Sequence, residues 1–110
     1  SLEENERMFN KDIFAKMKDS VYFINTARGI LVDEEALYNA LKSGKVAAAA
    51  SDVFNNEPVN PDNKLLELEN FTATPHVAGM TVKSMLDDSM TVAQAIIDFF
   101  NGKEPANRVV

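Results

Sequence analysis

Three short segments that favour β-strands alternate with helical segments along this chain of 110 residues. They read VYFINTA (21–27), VAAAASDVF (46–54) and FTATP (71–75). Alternation of strands and helices predicts a parallel sheet with right-handed crossovers and covering helices. The sequence therefore predicts an α/β fold built on three parallel strands.

The first strand has the strongest pattern, and the second is ambiguous. Residues 21–27 are rich in β-branched and aromatic side chains, which predicts a strand buried on both faces. The Ala run at 47–50 favours a helix by intrinsic propensity. Gly44 and the shortness of the segment nevertheless favour a strand packed tightly under helices.

Capping residues predict where the helices begin. Four side chains are suited to this position: Asn10, Asp33, Asn60 and Thr81. The helix after Asn60 is expected to be brief, with Pro61 in its first turn. The last helix is expected to run from Thr81 to Asn101 and to end at Gly102. Because its second half is apolar on more than one face, we expect it to be buried against more than one layer.

Composition excludes several classes of function. The net charge of −6 and the absence of clustered Lys argue against a nucleic-acid partner. Without Cys and with a single His, the chain offers neither disulfides nor a zinc site, so we expect no metal. No segment is long enough to span a membrane, and the acidic N-terminus is unlike a secretory signal. These features favour one compact unit in the cytoplasm.

Polar side chains that are capable of chemistry follow each predicted strand. Arg28 follows the first strand, Asp52 and Glu57 follow the second, and His76 follows the third. Strand-to-helix loops of a parallel sheet emerge at its carboxyl edge, where ligands bind in such folds. We therefore expect all four side chains to share one cleft.

Each of these residues also has an ordinary structural interpretation. Arg28 and Gly29 are compatible with a turn that carries a solvated guanidinium, and His76 with a loop residue. Asp52 and Glu57, taken singly, are typical loop carboxylates. Convergence of all four on one edge is what favours a functional site, and a domain with incidental polar residues remains the alternative.

The four side chains form a coherent chemical set. Glu57 beside His76 would orient the ring and stabilise the imidazolium, so that His76 exchanges a proton with substrate. The planar guanidinium of Arg28 suits bidentate capture of a carboxylate. The implied substrate is a small carboxylic acid that bears a carbonyl or a hydroxyl group.

Three segments of the chain resemble successive motifs of the D-isomer-specific 2-hydroxyacid dehydrogenases. They read INTARGILVDEEAL (24–37), ASDVFNNEP (50–58) and TPHVAGMT (74–81), in the order in which that family carries them. The resemblance implies a partial Rossmann-like, doubly wound fold. It also implies hydride transfer between NAD(H) and C2 of a 2-oxo or 2-hydroxy acid.

The resemblance also implies roles for individual residues. Arg28 would bind the substrate carboxylate and polarise the carbonyl, His76 would be the general acid and base, and Glu57 would pair with His76. Asp52 would hold the nicotinamide carboxamide. The residues that would contact or approach NAD are Asn25, Thr26, Ala27, Arg28, Asp52, His76, Ala78 and Gly79.

The chain also departs from the family pattern. No G-x-G-x-x-G is present, so the turn that cradles the pyrophosphate is missing, as is the substrate domain. We therefore interpret residues 1–110 as a single partial domain, the C-terminal portion of a dinucleotide-binding domain that is inactive in isolation. Its first strand would leave an open edge, which predicts a homo-oligomer, most simply a dimer, formed by pairing across this edge or by exchanging a helix. The alternative from another class is a non-catalytic interaction or dimerisation module.

Overall fold

A computed structural model describes residues 3–108 of the chain. Two compact units follow one another, the first ending at Ala78 and the second beginning at Gly79. The regular elements of the first unit are α1 (Lys11–Lys16), β1 (Val21–Asn25), α2 (Glu34–Lys42), β2 (Val46–Ser51) and β3 (Phe71–Ala73). Short 3-10 turns lie at Glu3–Asn5, Gly29–Leu31 and Lys64–Glu67, and the second unit contains α3 (Val82–Phe100).

The three strands form one parallel sheet in the order β1-β2-β3. Their register places Asn25 beside Ser51 and Ser51 beside Ala73, so all three strands end level with one another. The predicted α/β class is confirmed, and so is the strand assignment of the Ala-rich segment. Because the strands end level, the loops that follow them leave the sheet at one edge.

Helix starts follow the predicted caps at most positions. The side chain of Asn10 accepts hydrogen bonds from the N–H groups of Asp12 and Ile13 and caps α1. The carboxylate of Asp33 accepts from Ala36 N–H at 3.0 Å and caps α2. After α2, Gly44 has a φ of +76°, a conformation that favours glycine and ends the helix.

The brief helix predicted after Asn60 begins three residues later than expected. Asn60 instead starts a turn, since its side chain accepts from Asp62 N–H and its carbonyl accepts from Asn63 N–H. Asn63 caps the 3-10 turn by accepting from Leu65 N–H at 3.0 Å. Asn is a good cap and a good turn residue, so the spacing alone could not distinguish the two.

One cluster of apolar side chains forms the core of the first unit, and it lies on one face of the sheet. Phe23 of β1 contacts the rings of Phe9 and Phe14 edge to face, at centroid distances of 5.2 and 5.3 Å. The opposite face of β1 carries Tyr22 and Ile24, which are 75% and 71% exposed. The prediction that this strand is buried on both faces is therefore wrong. The helices α1 and α2 pack against the face that carries Phe23, and the face that carries Tyr22 and Ile24 stays exposed.

The second unit is dominated by α3, which has the predicted caps. Thr81 and Ser84 form a capping box at its start, and Gly102, with φ of +71°, follows its C-cap Asn101. None of its side chains is buried, and Phe99 and Phe100 contact each other edge to face. The predicted burial of its second half is therefore not found in the described chain. An apolar pattern indicates that a surface favours burial, but it does not say which polypeptide covers it.

Among the described residues, no helix combines the length and apolarity that a bilayer crossing requires.

Candidate active site

The carboxyl edge of the sheet carries the chemically capable side chains of the first unit. Asp52 directly follows β2, Glu57 lies five residues further on, and His76 follows β3. The structure brings these three together around one pocket. This is the edge at which ligands bind in parallel α/β sheets.

Glu57 and His76 form the central pair of the site. Nδ1 of His76 lies 2.7 Å from Oε2 of Glu57, and Oε1 accepts a hydrogen bond from Phe54 N–H at 3.0 Å. The hydrogen bond to His76 is the largest cause that lowers the pKa of Glu57, followed by the bond from Phe54. The charges of His76 and Arg28 lower this pKa further. Glu57 is therefore a carboxylate near neutral pH, with both oxygens engaged.

An ionised Glu57 determines which nitrogen of His76 carries the proton. A carboxylate only accepts hydrogen bonds, so Nδ1 must donate to it. In the neutral ring, Nε2 is then the acceptor, and it is the nitrogen available for proton exchange. The pair thus orients the imidazole and assigns its tautomer.

Asp52 is a second carboxylate, and it holds the loop that carries His76. It is only 4% exposed, and Oδ1 accepts from the hydroxyl of Thr74 at 2.5 Å and from Val77 N–H at 2.8 Å. Oδ2 accepts from Ala78 N–H at 2.8 Å. The Thr74 hydroxyl is the largest cause that lowers the pKa of Asp52. Its negative charge is therefore stabilised by hydrogen-bond donors on both sides of His76.

The backbone of His76 has a conformation that few side chains adopt. Its φ is +56°, in the left-handed region, where non-glycine residues are uncommon and strained. The two peptide N–H groups that follow it, in Val77 and Ala78, both donate to Asp52. Asp52 thereby stabilises the turn that directs the imidazole toward Glu57.

Arg28 lies in the loop after β1 and is positioned by Asn25. The buried side chain of Asn25 donates to the carbonyl of Arg28 at 3.0 Å and accepts from Ala27 N–H at 3.1 Å. The exposed guanidinium donates to the carbonyl of Ala27 at 2.6 Å. Arg28 does not line the pocket, so the expectation that all four side chains share one cleft holds for Asp52, Glu57 and His76 alone. The charge of Arg28 nevertheless lowers the pKa of Glu57.

The pocket has a volume of about 480 Å³ and a mixed lining. Its chemically capable residues are Asp52, Glu57, Thr74 and His76. The remainder of the lining is apolar: Phe54, Pro58, Val59, Ala73 and Pro75. Apolar walls with a few convergent polar groups are typical of sites for small organic ligands. Among the described residues, no group of three or more His, Cys, Asp or Glu could hold a metal ion.

The remaining residues predicted to approach a cofactor have different structural settings. Ala27 and Ala78 contribute backbone N–H groups to Asn25 and Asp52. Thr26 is exposed in the loop after β1. Gly79 begins the second unit, where its carbonyl accepts a hydrogen bond from the hydroxyl of Ser84.

Three residues with structural roles at the site were missed in the sequence. Thr74 bonds Asp52, Gly29 packs against the backbone of Phe54, and Glu34 bonds the loop that carries Glu57. Thr74 stands directly after β3 and before Pro75, and that position was the available signal. Nothing local marked Gly29 or Glu34, because their partners lie 20 or more residues away.

A known protein family matches most of the chain. The model for "D-isomer specific 2-hydroxyacid dehydrogenase, NAD binding domain" matches residues 1–78. The chain is 48% identical over 102 residues to D-3-phosphoglycerate dehydrogenase of Archaeoglobus fulgidus, covering 93% of this chain and 19% of that protein. It is 41% identical over 107 residues to glyoxylate/hydroxypyruvate reductase B of Klebsiella pneumoniae, covering 97% and 33%. The chain thus spans between a fifth and a third of these curated relatives.

Solved structures show the same fold. A D-isomer specific 2-hydroxyacid dehydrogenase from Xanthobacter autotrophicus Py2, in complex with NADPH and MES, is 33% identical with a TM-score of 0.85. The match covers 97% of this chain and 43% of that one. D-lactate dehydrogenase with NAD+ from Lactobacillus jensenii is 31% identical with a TM-score of 0.86, covering 100% and 37%. The predicted Rossmann-like fold is confirmed by these matches.

Proposed function

Because the chain belongs to the D-isomer specific 2-hydroxyacid dehydrogenases, through their NAD binding domain, we propose that it carries the proton-transfer residues of such an enzyme. The reaction would be hydride transfer between NAD(H) and C2 of a small 2-oxo or 2-hydroxy acid. The contact of 2.7 Å between His76 and Glu57, at the rim of a pocket, is the observation that carries the proposal.

The residues at the pocket fit the nicotinamide end of the cofactor. Asp52 accepts three hydrogen bonds from described residues, and a carboxylate has about four acceptor positions. The remaining position, on Oδ2, suits one N–H of a carboxamide. The apolar walls suit a planar ring. The sequence has no G-x-G-x-x-G, so the proposed contacts concern the nicotinamide end alone. When bound, the cofactor would supply the hydride.

The chain's own residues would supply the proton and the orientation. His76 would give a proton from Nε2 to the developing alkoxide during reduction and take it back during oxidation. Glu57 would hold Nδ1 and stabilise the imidazolium during this exchange. Arg28, whose exposed guanidinium is anchored at Ala27, would bind the substrate carboxylate. The charged form of His76 would therefore be the proton donor in the direction of reduction.

NAD as the cofactor, a cytoplasmic location and a homodimer belong to the same proposal, and the sequence does not distinguish NAD from NADP. The related structures include one with NADPH and one with NAD+, and one relative is named as chloroplastic. Each of these properties can be measured on the full-length protein. Activity is expected to need that length, since the chain covers 19% to 33% of the relatives compared above.

The decisive experiment measures oxidation of NADH by the full-length protein against a panel of 2-oxo acids. We expect at least one acid to be turned over, and His76→Gln to lose most of that activity because Gln cannot exchange a proton. Lys103→Gln, a substitution of an exposed residue in the second unit, is the control that keeps wild-type activity. Failure to reduce any 2-oxo acid, or full activity of His76→Gln, would refute the proposed function.

A further inference from the structure

The loop that supplies Glu57 is attached at both ends to one side chain of α2. Oε1 of Glu34 accepts a hydrogen bond from Asn55 N–H at 2.9 Å. Oε2 of the same carboxylate accepts from the side-chain amide of Asn63 at 2.8 Å. Asn55 precedes Glu57 by two residues and Asn63 follows it by six. A single carboxylate therefore closes the loop around Glu57.

We propose that Glu34 is a positioning residue that keeps Glu57 in place to hold His76. The inference rests on the proposed function only for its effect on turnover. Its structural part concerns the Glu57–His76 contact and holds whether or not the protein reduces a 2-oxo acid.

The connection from Glu34 to Glu57 is short and direct. Asn55 N–H, held by Glu34, is adjacent to Phe54, whose N–H donates to Oε1 of Glu57 at 3.0 Å. The other oxygen of Glu57 is the partner of His76. A shift of the backbone at residues 54–55 would therefore move the carboxylate that holds the imidazole.

A carboxylate is required at position 34 because both of its partners are donors. Asn55 donates a backbone N–H, and Asn63 donates its amide while its own oxygen accepts from Leu65 N–H. Gln at position 34 has one oxygen and one NH₂ group, so its NH₂ would meet a donor at one end of the loop. Asn63 cannot reverse its amide to compensate without losing its cap on the 3-10 turn.

The chain contains a matched control next to Glu34. Glu35 also lies in the first turn of α2, is exposed, and removes the same charge when it is replaced by Gln. Both substitutions weaken the favourable interaction of an acid with the helix N-terminus by a similar amount. A difference between Glu34→Gln and Glu35→Gln therefore reports the loop contacts and not the charge.

His76 provides a direct readout because it is the only histidine in the chain. The ¹⁵N resonances of its imidazole report which nitrogen carries the proton in the neutral ring. In the wild type we expect Nδ1–H to dominate, since Nδ1 faces the carboxylate of Glu57. Glu57→Gln serves as the reference in which this preference is lost.

Glu34→Gln is expected to lose most of the Nδ1–H preference, whereas Glu35→Gln is expected to retain it. Asn63→Asp is a second test, because it keeps the oxygen that caps the 3-10 turn but sets a carboxylate against Glu34. It should give the result of Glu34→Gln. In the full-length enzyme, kcat/KM should fall on the order of 10-fold for these two variants, as expected for a displaced catalytic pair.

A wild-type tautomer in both Glu34→Gln and Asn63→Asp would overturn the inference, because Glu57 would then hold His76 without the two hydrogen bonds from the loop to Glu34. Equal loss in Glu34→Gln and Glu35→Gln would also overturn it, since charge alone would explain the effect. If the tautomer changes as expected but no 2-oxo acid is reduced by the wild type, the positioning role stands and the proposed function fails.

Discussion

Gly29→Ala should damage the site from a position that touches none of the reacting groups. A Cβ at residue 29 would lie 2.0 Å from the carbonyl carbon of Phe54, 2.1 Å from its oxygen and 2.5 Å from the nitrogen of Asn55. Carbon atoms in contact normally stand about 3.5 Å apart. The loop must therefore retreat by about 1.5 Å, and all three contacts are backbone atoms that a side-chain rotation cannot relieve.

The size of this retreat allows an estimate of its effects. Asn55 N–H donates at 2.9 Å to Glu34 in α2, so a shift of about 1.5 Å would break this hydrogen bond. The same shift would displace Glu57, whose carboxylate accepts from Phe54 N–H at 3.0 Å. Overpacking of a buried contact typically costs about 1–3 kcal/mol in the free energy of unfolding. Displacement of a catalytic group by about 1 Å can lower kcat/KM by about 100-fold.

Thermal unfolding followed by circular dichroism tests the stability part of this prediction. Each kcal/mol should lower the Tm by roughly 4–8 °C for a domain of this size. Gly79→Ala is the control for stability, since a Cβ there meets nothing within 4 Å and its φ is outside the left-handed region. A Gly29→Ala variant that unfolds at the wild-type temperature would refute the close packing of Gly29 on the loop.

Two further predictions follow from the site and from the sheet. Glu57 has a folded-state pKa below its ordinary value of 4.5, so the stability it contributes is present above that value and is lost as the pH falls through the folded pKa. The stability advantage of the wild type over Glu57→Gln, measured by urea unfolding, should shrink as the pH falls from about 7 to about 3; a constant advantage would contradict this. The 110-residue chain should self-associate through its open β1 edge and the exposed Tyr22 and Ile24. Light scattering that finds a monomer at high concentration would count against this, and Tyr22→Lys should weaken the association.

The parts of the fold that depend on local chemistry were predictable from the sequence. Asn10, Asp33 and Thr81 cap helices where they were expected, because a cap needs only a short polar side chain and the N–H groups that follow it. The prediction for Asn60 was wrong because two Asn residues, at positions 60 and 63, are both suited to cap this helix. Local rules are decisive where one residue satisfies them and ambiguous where two do.

Burial was harder to predict because it depends on what covers a surface. The continuously apolar sequence of β1 gives no sign that Tyr22 and Ile24 are exposed, since both are good strand residues on either face. The apolar pattern of α3 predicts a covered helix, yet none of its side chains is buried in the described chain. Hydrophobic pattern alone therefore identifies a surface that favours burial but not the element that buries it.

The carboxyl edge of the sheet was predictable from topology, whereas the contacts within it were not. Parallel strands that end level bring Asp52, and the loops that carry Glu57 and His76, to one edge of the sheet. The hydrogen bonds to Glu34 and the close approach of Gly29 to Phe54 connect residues that are separated by 21 to 29 positions in the sequence. These contacts depend on the path of one loop. No periodicity in a sequence encodes such a path, so only the three-dimensional structure shows these roles.

The two carboxylates of the site are not interchangeable, and their lengths and positions explain why. Asp52 directly follows β2, and its short side chain accepts hydrogen bonds from the hydroxyl of Thr74 and the N–H groups of Val77 and Ala78. It stabilises the strained backbone at His76, which has a φ of +56°. Glu57 instead lies in a loop, and its longer side chain contacts two partners, Phe54 N–H and the imidazole of His76. Asp52 thus sets the turn from which the ring projects, and Glu57 determines which nitrogen of that ring is left for proton exchange.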